Sequence, residues 1–387
     1  MLAARPVRAG QYRGRVSFSF DALRRWPDIE GPDQPAVDAA DRLILDESAA
    51  ARAGVPLGQV VVIGDGYGGL ALGTAAQAAD GPGVVRVHQD ALVGERALAA
   101  NAEHTGLSHA VASLPLSAEL LQGARIVLLR LPKSLDELRD IAGSIAAHAS
   151  PDVVVYAGGR LKHMSVGMNA VLGEHFTRLD VTHARQKSRV LIARGPQHGR
   201  DPEPRRATHD GLVVSAFGGV FAGPSIDIGT RFLLEHFPEA IPTDGTVIDL
   251  ACGNGVVAAW LARQHPDVAV LACDQSAAAV ASTLATAAAN GIADRVTVAR
   301  DDALSALPDS SAAFIALNPP FHSGAAVHTG LAAHLFADAA RVLRPGRELW
   351  TVWNSALRYR GELERIVGPT RQIARNNKFT VTASAAR

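Results

Sequence analysis

Short apolar runs recur along this chain, and each is followed by a turn and then by an alanine-rich stretch with helical spacing. Two of them lead: "QVVVIGDGYGGLALGTA" in the first half and "GTVIDLACGNGVVAAWLA" in the second. The first opens a series continued by "VVRV", "RIVLLRL" and "DVVVYAGG"; the second continues through "VAVLAC", "RVTVA", "AAFIALN" and "ELWTVWN". Apolar strands alternating with helical patterns predict an α/β fold, a mostly parallel sheet covered by helices on both faces, and here it is predicted twice. The alternating segment "KFTVTA" predicts a last strand at the edge of the second sheet.

The two series have the spacing of a duplication. Gly66 to Asn101 and Gly255 to Asn290 are both 35 residues, ending in "ALAAN" and "TAAAN"; Gly66 to Pro132 is 66 and Gly255 to Pro320 is 65. Between the series lies "GPQHGRDPEPRRATHDG", which has the composition of an exposed connection. The predicted organisation is a basic leader at 1–16, a first Rossmann-like domain at 17–200, a linker at 201–210 and a second Rossmann-like domain at 211–387.

With 387 residues, 48% of them hydrophobic, the chain has apolar material for two cores. Its two cysteines provide no disulfide framework, and a reducing, cytoplasmic compartment is the default expectation. No apolar stretch reaches the length of a membrane helix. A net charge of zero argues against a general nucleic-acid binder, but the charge is uneven. Residues 160–206 hold ten Arg or Lys against four acids, and residues 341–378 hold nine against three. Such tracts are equally compatible with a solvated surface and with an RNA partner.

Taken literally, "GDGYGG" at Gly64 to Gly69 is the G-x-G-x-x-G dinucleotide fingerprint. That fingerprint also needs an acid about 20 residues further on to bind a ribose. Repeat spacing puts Val85 at that position, with Asp90 five residues beyond, and equates Asp249 with Val60. The second half keeps what the first lacks. "VIDLACGNG" places Asp249 at a strand end and Gly253 and Gly255 in the turn; Asp274 in "VLACDQS" follows Gly255 by 19 residues, and Asp302 lies in "ARDDALS". An acid at the end of the second strand suits ribose hydroxyls, and one at the end of the third suits an adenine edge. Each alone is also an ordinary helix cap.

The fourth strand ends in "FIALNPPFH". An exocyclic amine on a nucleobase is a poor nucleophile, because its lone pair is delocalised into the ring. Asn318 offers a side-chain acceptor and Pro319 a carbonyl, Pro320 stiffens the backbone behind them, and Phe321 can stack on a base. His322 either relays a proton or merely packs.

Together, "DLACGNG", "DQS", "DDA" and "NPPFH" resemble the amino-methylating class I S-adenosylmethionine-dependent methyltransferases. More closely, the chain is similar to the ribosomal RNA guanine-N2 methyltransferases with a doubled methyltransferase fold, and within these to the large-subunit branch. Phe221, Asp227 and Gly229 in "GGVFAGPSIDIGTRFLL" match the family's loop, and "LRRWPDIEG", "LPKSLDEL", "ARQKSRVLIAR" and "IARNNKF" extend the similarity over residues 17–385. The resemblance implies methyl transfer from S-adenosylmethionine, without a metal, to N2 of a guanine in 23S rRNA, free or partly assembled. Phe221, Asp227, Gly229, Asp249, Ala251, Gly253, Gly255, Asp274, Gln275, Asp302 and Ala303 would line the cofactor site, and Asn318 to Phe321 would hold the guanine. Ala251 departs from the family's pattern, since it stands where a first glycine is usual.

The first copy, degenerate at its site, is then expected to recognise RNA through Arg130, Lys133, Arg160, Lys162, Arg185, Lys187 and Arg189. Only four of the 38 basic residues are lysines, so arginine at any one of these positions is weak evidence for a phosphate contact. Open alternatives are the same chemistry on 16S rRNA, adenine-N6 methylation, a nicotinamide-dependent oxidoreductase using "GDGYGG", and a non-catalytic ribosome-assembly factor.

Overall fold

A computed structural model describes residues 18–31, 34–77, 83–320 and 325–387; the leader expected at 1–16 lies outside the described residues, as do Phe321 and His322. Two seven-stranded sheets are built in succession. The first comprises β1 (Val60–Ile63), β2 (Val85–His88), β3 (Val111–Ser113), β4 (Ile126–Arg130), β5 (Val154–Arg160), β6 (Phe176–Val181) and β7 (Ser188–Pro196), ordered β3-β2-β1-β4-β5-β7-β6. A two-stranded hairpin of β8 (Arg205–His209) and β9 (Leu212–Ala216) follows. The second sheet comprises β10 (Thr246–Leu250), β11 (Val270–Asp274), β12 (Val296–Arg300), β13 (Ala312–Leu317), β14 (Leu343–Asn354), β15 (Thr370–Arg375) and β16 (Phe379–Ala385). Its order, β12-β11-β10-β13-β14-β16-β15, repeats that of the first.

Both central strands are apolar because both of their faces are covered. Val60 and Val62 belong to one core cluster of the first sheet and Val61 and Ile63 to the other, since successive side chains of a strand point to opposite faces. In β10, Val247 and Ile248 divide in the same way. "KFTVTA" does not lie at the edge. Strand β16 runs antiparallel between β14 and β15, and its central residues are buried, which accounts for an apolar content too high for an exposed edge.

One pair of contacts makes the duplication physical. Asn101 receives the Arg24 backbone N–H at 2.9 Å and donates to the Arg24 carbonyl at 2.8 Å, 77 residues apart. Asn290 does the same for Val213, at 3.0 and 2.7 Å, also 77 residues apart. In each copy this amide staples the segment that precedes the sheet to the helix after the second strand. The stapled segment in the second copy is β9, so the linker expected at 201–210 is partly a strand, with β8 hydrogen-bonded to it.

Strand register corrects two equivalences that counting suggests. Ile63 pairs with His88 and Leu129, and Leu250 pairs with Cys273 and Leu317. Asp274 therefore corresponds to Gln89 rather than Val85, and Asp249 to Val62 rather than Val60; Asn318 corresponds to Arg130. Spacing misplaces these positions because counting equates Gly66 with Gly255, whereas register equates Gly68 with it; at Val85 a longer connection to the second strand in the first copy adds to the error. There is still no acid at the ribose position.

Replacing Asn290 by alanine leaves the amide and carbonyl of Val213 without their partner. The expected loss is about 1–3 kcal/mol, read as an earlier urea-unfolding transition with an unchanged slope.

Candidate active site

The carboxyl ends of β10, β11, β12 and β13 open on a cavity of about 460 Å³. Its walls include Phe221, Asp227, Asp249, Ala251, Gly253, Asp274, Gln275, Asp302, Ala303, Asn318, Pro319 and Pro320. Of the residues expected at the site, Gly229 and Gly255 stand behind the wall instead. At Gly255 the backbone is left-handed (φ 75°), and a Cβ would lie 2.7 Å from the Thr283 side chain, so the residue sets the entry of the helix Val256–Gln264. Gly229 lies in the first turn of the helix Ile228–Leu234, tucked against Asp227 and the Phe379 ring. Phe221 is half exposed at the rim.

The carboxylates are held by backbone amides. Asp249 accepts the N–H of Ala258 at 2.9 Å, bracing strand against helix, and burial pushes its carboxyl up to about 7. Asp274 accepts from Gly253 and Ser276, both at 3.0 Å, and burial raises its carboxyl above the usual range as well. Asp302 receives His334 at 3.1 Å and meets Arg96 of the first domain at 3.5 Å. Ala251 and Ala303 both adopt left-handed backbones, with φ of 58° and 53°. The alanine that replaces the usual first glycine thus takes the glycine's conformation, at a cost of roughly 1–2 kcal/mol. Cys252 and Cys273 are buried, and burial raises both thiols, Cys273 to about 12, so neither is a ready thiolate.

Asn318 is the best-defined polar group. Its amide nitrogen donates to the Thr230 hydroxyl at 2.8 Å, with Asp227 Oδ2 at 3.5 Å. Asp227 itself caps the helix that carries Thr230, accepting from Gly229 at 2.8 Å and Thr230 at 3.3 Å. With the nitrogen so occupied, the side-chain oxygen Oδ1 is left buried without a hydrogen-bond partner among the described residues. Gln275 Oε1 is in the same condition. A buried acceptor of this kind costs about 1–3 kcal/mol unless a ligand satisfies it.

Sequence reasoning overlooked several participants. Thr230 orients Asn318, and Asn254 ties the glycine turn to the loop through Gly223 and Ser225. Buried Asp301, next to Asp302, holds the turn by accepting from Ala306 at 2.8 Å. The "DD" doublet carries Asp301 as well as Asp302, and an aspartate three residues before Thr230 has the spacing of a helix cap; these are the signals that could have marked them. Asp90 and Ala91 of the first domain also line the cavity, and no local signal marks them.

In the first sheet the turn after β1 is filled from its own domain. Asp65 buries its carboxylate on the amides of Gly68 and Ala71, and a Cβ at Gly69 would lie 2.9 Å from Val37. "GDGYGG" is packed from within the domain. Arg130 is held by Asp38 at 2.7 and 2.6 Å and by Asp41 at 2.9 Å, so among the basic candidates its guanidinium is already engaged. Lys133, Arg160 and Lys162 surround a cavity of about 390 Å³ beside it, together with His163. The Nε atoms of Arg160 and Arg189 are buried without a partner among the described residues. Arg185 faces Asp46 at 3.1 Å, and Lys187 lies exposed in the turn before β7.

Residues 211–383 match the Methyltransferase small domain and residues 15–197 the RLMG N-terminal domain. Ribosomal RNA large subunit methyltransferase G of Streptomyces avermitilis is 35% identical over 93% of this chain and 95% of its own length. The chain belongs to that family. The Shewanella amazonensis methyltransferase G is 32% identical over 93% and 94% of the two chains. In fold, a T. thermophilus 16S rRNA N2 methyltransferase, solved with AdoMet and guanosine, superposes with a TM-score of 0.71 over 90% of this chain and 92% of that one, at 22% identity. The chain thus has two tandem Rossmann-like domains of the class I methyltransferase fold.

Thr230→Val removes the hydroxyl that fixes the Asn318 amide while keeping its volume. Methyl-transfer turnover is expected to fall about tenfold, equivalent to roughly 1.4 kcal/mol of barrier, with the global unfolding midpoint little changed.

Proposed function

We propose that this chain transfers a methyl group from S-adenosylmethionine to the exocyclic N2 of a guanine in 23S rRNA, free or partly assembled. The observation that carries the reading is the orphaned Asn318 oxygen, aimed by Thr230 and set at the end of β13 in the cavity that Asp249 and Asp274 also line. The curated relatives' name supports the large-subunit substrate. Such a substrate is met in the cytoplasm; among the described residues, no helix is long and apolar enough to cross a membrane.

The cavity fits the methyl donor on its own terms. Its volume suits a nucleoside-sized ligand, it holds two orphaned acceptors, and its acids sit where a ribose and a cation would satisfy them. Asp274 would accept the ribose hydroxyls, Gln275, Asp302 and Ala303 would border the adenine, and Asp249 would stand behind the glycine turn. When bound, S-adenosylmethionine supplies a methyl group on a positively charged sulfonium. The protein's part is position and charge: Asn318 Oδ1 and the Pro319 carbonyl accept the two N–H groups of the amine. Drawing them out of the ring plane localises the nitrogen lone pair and turns it towards the cavity. As the C–N bond forms the methyl–sulfur bond would break, its electron pair staying with the departing thioether, and the surplus amine proton would pass to water. The guanine must be unpaired or flipped out to reach Asn318. Lys133, Arg160, Lys162, Arg185, Lys187 and Arg189 of the first domain would meet phosphates, with Arg130 bracing the edge they stand on.

Asn318→Ala is expected to cut methyl transfer to rRNA at least a hundredfold while leaving S-adenosylmethionine affinity within about threefold, measured by calorimetry. Retention of full transfer by this variant would refute the reading. A second expectation concerns pH. With Asp249 near 7, its ionised form is favoured by a cationic ligand, so donor binding should tighten as pH rises from 6 to 8, by up to about tenfold per unit below 7. Asp249→Asn should flatten that slope in the same titration.

A further inference from the structure

The first domain reaches the cavity along two routes. Just beyond β2, the Asp90 carbonyl accepts from Ala277 at 2.9 Å, and its carboxylate accepts from Ala278 at 2.8 Å. Ala91 forms an antiparallel bridge with Ser276, and the Leu92 amide donates to the Gln275 carbonyl at 3.0 Å. The four residues that follow Asp274 are thus gripped by three residues of the other domain, and Asp90 and Ala91 form part of the cavity wall. Arg300, at the end of β12, locks the arrangement. Its guanidinium donates to the carbonyls of Gln275, Gln89 and Asp90 at 3.2, 3.0 and 2.8 Å and pairs with Glu95 at 2.7 Å.

On the other route, the Gly218 amide donates to Asp140 at 2.7 Å, and Arg205 pairs with Asp136 at 2.7 Å. The fit is close enough that a Cβ on Gly218 would lie 2.5 Å from backbone atoms of Asp136 and Glu137. The next residues, Gly219 to Ala222, line the cavity.

From these contacts we infer that the methyl-donor site is a two-domain site, in which the first copy, having lost its own ribose acid, positions the adenosyl-binding segment of the second through Asp90. This rests on the reading of the cavity as an S-adenosylmethionine site. Asp90 is a positioning residue: it occupies the first turn of the helix Ala277–Ala289, whose start sets the direction of Asp274 and Gln275. Its nearness is also felt electrostatically, since burial chiefly raises the Asp274 carboxyl and the Asp90 charge adds to the rise. A simple cohesive interface would stabilise the chain and leave donor affinity alone. A positioning interface ties the two together.

The test uses the full chain and calorimetric titration with S-adenosylmethionine, alongside thermal unfolding. Asp90→Ala should raise Kd at least tenfold, Asp90→Asn, which keeps an acceptor for Ala278, should restore it to within about threefold of wild type, and Glu95→Ala, half-buried and outside the cavity, should raise it about threefold. Glu103→Ala, exposed on the helix Leu92–His104 and outside the cavity wall, should leave Kd unchanged. Wild-type Kd in both Asp90→Ala and Glu95→Ala overturns the proposal, whether or not the unfolding midpoint falls. If Asp90→Ala does not fold, Glu95→Ala and Asp90→Asn decide by the same values. A wild type that binds no S-adenosylmethionine sinks the functional reading itself, whereas a binding wild type with unaffected variants sinks only the two-domain site.

Discussion

A buried carbonyl oxygen with nothing to bond is tolerated in a folded protein only when some other contact holds it in place. At Asn318 that contact is the hydrogen bond from its amide nitrogen to Thr230, itself fixed by the Asp227 cap. The bond decides which face of the amide looks into the cavity, and so decides that an acceptor rather than a donor is presented there. An acceptor suits an amine and repels a carbonyl or phosphate. Everything around it serves to keep that choice: strand β13 buried along its whole length, two prolines after it, and a capped helix opposite.

The same logic explains why one copy of the fold acts and the other does not. Register places Arg130 where the second copy has Asn318, and a guanidinium has donors only. Asp38 and Asp41 neutralise it, so the edge became a rigid ionic support. The glycine turn of the first copy is left-handed at Gly64 and Gly68, as the second is at Ala251 and Gly255, but not at Gly66, and it is packed over by its own domain. What survives at that edge is a basic rim, Lys133, Arg160 and Lys162, and, one residue past Gln89 at the ribose position, an Asp90 that bonds the neighbouring domain.

Much of this was legible in the chain before any coordinates. Apolar runs with helical intervals marked both sheets, and the acids at the ends of β10 and β11 and just past β12 were readable because short parallel strands end together at one edge. The duplication was visible in the spacing of Asn101 and Asn290, though its meaning as a staple to Arg24 and Val213 was not. Counting from Gly66 where Gly68 is the true counterpart of Gly255 misassigned Val60 and Val85, an error that only strand pairing corrects. The edge position expected for "KFTVTA" failed because an antiparallel insertion between two strands leaves no mark on a local pattern. Asp90, Arg300 and Gly218 were invisible for a deeper reason: their roles depend on how two domains dock, and nothing within a few residues of any of them encodes the partner.

The central claim is that this site places a methyl group on the N2 amine of guanine in large-subunit rRNA. The most direct measurement is nucleoside mass analysis of 23S and 16S rRNA incubated with the purified chain and S-adenosylmethionine carrying a labelled methyl group. The account predicts labelled N2-methylguanosine in 23S rRNA. Label in N6-methyladenosine, in 16S rRNA alone, or in neither RNA would contradict it.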